Sequence, residues 1–118
     1  MAKRHNYKNL KIWLLGLEIA NDISDILMKF PQHERYDLSS QMNRSSISMP
    51  SNIAEESSRT DKSFKTFIDY ALGSSFELGT QLPVASHRKY IDDKTLEILE
   101  NKIEEWQRMT MSFQNNLG

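Results

Sequence analysis

In a chain of 118 residues, chemistry starts from side chains that can hold a metal, take a proton or attack a bond. Here those side chains do not converge. His5, His33 and His87 fall on three separate stretches, and none stands three residues after a glutamate, so the Glu-x-x-His pattern of di-iron bundles is missing. His-Glu-x-x-His, a Gly-Lys phosphate loop and a strand-linked Gly-x-Gly-x-x-Gly are missing too. With no cysteine, thiolate catalysis, disulfides and Cys-ligated zinc drop out together. Serines are frequent between residues 39 and 58, but a serine nucleophile needs a positioned base within hydrogen-bond reach. No His or Lys recurs on their face. The sequence reads as non-enzymatic, with no catalytic, metal-binding or cofactor-binding residue expected.

Three charged or polar groupings remain. Gln41, Arg44, Ser48, Asn52 and Glu55 recur at helical spacing, and a second row holds Tyr70, Ser74, Glu77 and Gln81. A network of Gln41, Arg44, Asn52 and Glu55 with Glu77 and Gln81 would fix the register of two helices, since buried polar groups must be paired; the alternative is a ligand or RNA surface. Residues 1–11 carry Lys3, Arg4, Lys8 and Lys11 and no acid, leaving eleven cations against sixteen acids in the rest of the chain. A basic arm of residues 1–8 on an acidic body reads as a nucleic-acid tail or as an ordinary basic chain start. Glu18, Asp22 and Asp25 line one side of the first helical segment, as a solvated face or a surface for a cationic partner.

Four helical segments position these groups, at about residues 9–30, from Asp37 into the fifties, about 62–89, and from Asp92 or Asp93 onward. The second contains Pro50, which lacks an N–H and crowds the Ser46 carbonyl at about 3 kcal/mol in a helix interior. The hydroxyls of Ser45, Ser46 and Ser48 are the expected compensation, and the segment reads as one helix kinked at Pro50, with an outright break as the alternative. Residues 114–118 should fray. With short connections and no strand alternation, the fold class is all-α: a single-domain, antiparallel, up-down-up-down four-helix bundle over residues 1–118. The apolar run of residues 12–17 is too short for a signal peptide or a membrane span, which points to a soluble, cytoplasmic protein.

The first helix has more apolar surface than one bundle requires. Leu10, Trp13, Leu17, Ala20, Ser24 and Leu27 form one stripe; Ile12, Ile19, Ile23, Ile26 and Phe30 form another, about 130° away at ~100° per residue. Two such stripes do not both face one core. The second stripe, Ile12, Ile19, Ile23, Ile26 and Phe30, is therefore expected at the contact of a homo-oligomer.

Leu10-Lys11-Ile12-Trp13, Phe30-Pro31, Glu34-Arg35-Tyr36, Leu38-Ser39-Ser40-Gln41, Arg44, Ser48-Met49-Pro50-Ser51-Asn52-Ile53-Ala54-Glu55, Ala71-Leu72-Gly73-Ser74, Glu77-Leu78 and Thr80-Gln81-Leu82 occur in a familiar order. Together they resemble the bacterial four-helix-bundle proteins encoded in intervening sequences of 23S ribosomal RNA genes. The chain departs from that pattern at Glu56, where the family usually has Gly, and at Pro83. The resemblance implies a left-handed bundle that assembles into a ring-like homopentamer with no established enzymatic role. The more distant fold similarity to the accessory protein of diversity-generating retroelements implies an alternative, an RNA-binding accessory protein whose arms act multivalently.

Overall fold

The computed structural model describes residues 6–56, Glu56 by its backbone, and 60–117. Lys3, Arg4 and His5 of the basic arm, residues 57–59 and Gly118 lie outside the described residues. Four helices account for the fold: α1 (Lys11–Leu27), α2 (Leu38–Glu56), α3 (Asp61–His87) and α4 (Asp93–Asn115). Short 3-10 turns at Tyr7–Asn9 and Gln32–Glu34 precede α1 and α2, and no strand occurs among the described residues. The result is an all-α bundle about 50 Å long and 25 by 20 Å across, close to one helix length and two helix widths.

Local chemistry sets the helix ends. Thr60 accepts the Ser63 N–H at 3.2 Å and opens α3, and Asp92 accepts the Thr95 N–H at 2.7 Å and opens α4. At the start of α2 the Asp37 N–H donates to the Glu34 carbonyl at 3.0 Å, and the Asp37 carboxylate accepts from Gln41 Nε2 at 3.2 Å. After α3 the chain turns through Lys89, whose φ of 66° is the left-handed conformation, and the Tyr90 N–H closes back on the Ala85 carbonyl. Helix α4 ends at Asn115. The Gln114 amide donates to the Lys65 carbonyl at 2.8 Å and to Asp69 at 2.7 Å, which ties the last turn of α4 to α3.

Helix α2 runs uninterrupted across Pro50, and α3 across Pro83. The serine hydroxyls before Pro50 do other work than expected: Ser45 bonds the Gln41 carbonyl at 2.7 Å and Ser46 the Asn43 carbonyl at 3.0 Å. Pro50 is buried instead against Gly16 of α1. A Cβ at Gly16 would lie 3.4 Å from Pro50 Cβ and a tight 3.2 Å from Trp106 Nε1, so α1, α2 and α4 approach closely at this glycine.

The core overturns the assignment of the two faces of α1. Ile12, Ile19 and Ile23 are buried in the chain's own core with Phe30, and Ile26 packs against its edge. Ile12, Ile19, Ile23 and Phe30 are therefore closed to a subunit contact, and Ile26 is half-buried. The physical reason is Gly16, which completes an Ile12-Gly16-Ile19-Ile23 row at four-three-four spacing and lets the neighbouring helices approach on that side. The other stripe turns outward: Leu17 and Ser24 are exposed, Trp13 and Leu27 are half-buried, and only Ala20 is buried.

Candidate functional site

Side chains between α2, α3 and α4 form a polar seam, but not the one expected. The Ser45 hydroxyl lies 3.0 Å from Gln81 Oε1, linking α2 to the buried amide of α3. Asn52 Nδ2 donates to the Ser48 carbonyl at 2.8 Å and to Ser48 Oγ at 2.9 Å, and the Ser74 hydroxyl reaches Ser48 Oγ at 2.8 Å. Gln107 Nε2 donates to the buried Ser75 at 3.0 Å, joining α4 to α3. Of the six expected members, Gln81 and Asn52 belong to the seam. Gln41, Arg44, Glu55 and Glu77 are exposed. Short hydroxyls fit the narrow gap between packed helices, whereas long charged side chains carry their heads into water.

Periodicity gives no hint of the cluster at the connected end of the bundle. Glu34 is buried, and its Oε2 accepts from Tyr90 Oη at 2.7 Å and from Arg88 Nη1 at 2.8 Å. The tyrosine hydrogen bond, then the arginine, hold the Glu34 carboxyl below its ordinary range against the opposing effect of burial. The same bond to Glu34 pushes the Tyr90 phenol up. The cluster clamps the α1–α2 connection to the α3–α4 connection. The only sequence signal was the Glu34-Arg35-Tyr36 run, which carried the family resemblance without a role.

The acidic side of α1 finds its cation within the chain. Lys102 Nζ of α4 lies 2.6 Å from Asp22 and 3.0 Å from Glu18, and the Asp22 bond raises the lysine pKa. Lys8 and Lys11 are exposed at the start of the chain's described part. No group of three or more His, Cys, Asp or Glu that could hold a metal ion occurs among the described residues.

The candidate functional surface is the outward face of α1 and α2. A groove of about 360 Å³ runs between the helices, walled by Trp13, Leu17 and Ala20 on one side and Ile47, Pro50 and Ala54 on the other. Leu17 is 37% exposed and Ile47 47%. Tyr7 packs edge-on against Trp13 at 5.3 Å and closes one end. Among the described residues no carboxylate or cation lines this groove; Asn21, Ser24, Asn43 and Ser51 give its apolar walls polar edges.

Among the described residues no helix is long and apolar enough to cross a membrane. Residues 8–112 match the family described as 23S rRNA-intervening sequence protein. No curated protein matches the chain. Among solved structures, a protein of unknown function from the S23 ribosomal protein family of Bacteroides thetaiotaomicron VPI-5482 is similar to it. It superposes with a TM-score of 0.81 at 22% identity, over 89% of this chain and 99% of that one, which is a likeness of fold.

Proposed function

The chain belongs to the 23S rRNA-intervening sequence protein family, and from that premise we propose that it is a non-enzymatic, cytoplasmic assembly protein that works as a homo-oligomer. The observation that supports this reading is the groove on the outward face of α1 and α2, where exposed Leu17 and Ile47 flank Trp13 and Pro50 with no charge among them. Apolar surface gathered in one place on a small protein marks an association site. The contact is heterologous in this reading, since a closed ring joins one face to a different one on the next copy. A ring of five is what the resemblance implies.

Light scattering on a sizing column tests it. A multiple of the chain mass at micromolar concentration is expected, and a monomer throughout that range refutes the proposal. RNA binding through Lys3, Arg4, Lys8 and Lys11 is the weaker reading. Lys11 shares its outer side with Glu18 and Glu105, an acidic setting that opposes a polyanion.

A further inference from the structure

Helix α3 carries a glycine that its own chain does not use. Gly79 lies in the helix interior, where glycine is less favourable than alanine, yet an added Cβ would meet no neighbouring element within 4 Å. It lines a recess of about 270 Å³ between α3 and α4, with Phe76 and Ile103 as apolar walls and Glu100 and Glu104 along one edge. Phe76 is 54% exposed. The two glutamates stand one turn apart on one face of α4, and neither forms an ion pair among the described residues.

We propose that this recess receives the α2 ridge of a second copy of the chain, with Ile47 seated over Gly79 between Phe76 and Ile103, and Arg44 against Glu100 and Glu104. The inference rests on the assembly reading and names the surface that meets the Ile47 rim of the groove. Three observations select this occupant. Arg44 and Ile47 stand one turn apart on the outward side of α2, roughly opposite the buried Met42, Met49 and Ile53, so one approach presents both. Arg44 is exposed and forms no ion pair among the described residues, and the acidic edge of the recess complements its charge. The heights agree as well. The Glu34 clamp holds the start of α2 beside the end of α3 and the start of α4, and Ser45 reaches Gln81 at 3.0 Å, so positions along the bundle compare directly. Arg44 and Glu100 both stand about 10 Å from that end at ~1.5 Å per residue, and Ile47, Gly79 and Ile103 about 12–15 Å. Copies standing side by side and pointing the same way therefore bring Ile47 to Gly79 and Arg44 to Glu100. The ridge points out from the α2 corner of the bundle and the recess opens on the α3–α4 side. The two surfaces neither coincide nor directly oppose one another, so successive contacts curve.

Light scattering of the full chain across a micromolar dilution series tests the contact. Arg44→Glu, and separately Glu100→Lys with Glu104→Lys, are each expected to weaken association by about tenfold or more, the scale of a lost charge-assisted contact. Combining the three reversals in one chain is expected to restore association. Gly79→Ala should also weaken it while circular dichroism shows the helical signal kept, because within one chain the added methyl meets nothing. An oligomeric parent whose mass these folded variants leave unchanged overturns this contact and leaves the assembly reading standing. Disruption by both charge reversals without restoration in the combined chain overturns it too. A parent that is monomeric throughout overturns both.

Discussion

Trp106 Nε1 donates to the carbonyl oxygen of Ile12 across 2.8 Å, joining the middle of α4 to the first turn of α1. The indole is fully buried, and the residue one turn beyond Ile12 is Gly16, whose missing side chain leaves room for the ring and for Pro50. One hydrogen bond, one glycine and one proline therefore set how closely three helices pack.

Gly16→Ala tests that packing. Alanine favours a helix by up to about 1 kcal/mol over glycine, yet here its methyl would sit 3.2 Å from a buried indole nitrogen and 3.4 Å from the Pro50 ring. The expected net effect is destabilisation by ~1–2 kcal/mol, because overpacking outweighs propensity. Urea unfolding followed by circular dichroism measures it; a more stable variant would show that the three helices yield easily.

Pro50→Ala restores an N–H to α2 and vacates space beside Gly16. Helical signal should be kept, since α2 is already continuous through this residue. Alanine keeps the Cβ that lies nearest a Gly16 methyl and loses only the 3.5 Å Cδ contact, so the cost of Gly16→Ala should change by less than about 0.5 kcal/mol in the Pro50→Ala background. A larger coupling in that double-mutant cycle would mean that the proline ring, rather than the Trp106 indole, limits the approach.

The Glu34 clamp predicts the shape of the stability–pH curve. A carboxyl held below its ordinary value of 4.5 contributes stability that is present above that pH and is lost as pH falls through the lower folded value. The Tyr90 phenol, raised above 10.0, contributes stability present below that pH and lost as pH rises through its folded value. Glu34→Gln should lower stability at pH 7 and flatten the acid limb, and Tyr90→Phe should flatten the alkaline one. Unchanged limbs in urea titrations across pH would remove the clamp from the account.

Two pairs of substitutions on α1 and α2 separate core from surface. Ile19→Glu with Ile23→Glu places two charges in a closed core, which should abolish the cooperative fold, at several kcal/mol per uncompensated charge. Leu17→Glu with Ile47→Glu alters only the outward groove. The monomer fold should survive it by circular dichroism, while the light-scattering mass falls to that of one chain. If mass is unchanged, the subunit contact lies on another face.

The sequence by itself determined the number and order of the helices, because three-four spacing, Pro31, Thr60 and Asp92 are local signals read within a turn or two. It also determined the family, through motifs such as Pro50-Ser51-Asn52-Ile53-Ala54-Glu55 that need no coordinates. Tertiary structure decided which face of α1 turns inward. Periodicity places two apolar stripes relative to each other on one helix, but the choice between them depends on neighbours far along the chain, here Pro50 and Trp106 closing on Gly16. The polar seam followed the same logic: helical spacing put Arg44 and Glu77 in the right rows, and the width of the gap admitted Ser45, Ser48 and Ser74 instead. Glu34 stands 54 residues from Arg88, and only the docking of two connections at one end of the bundle makes a buried carboxylate there stable.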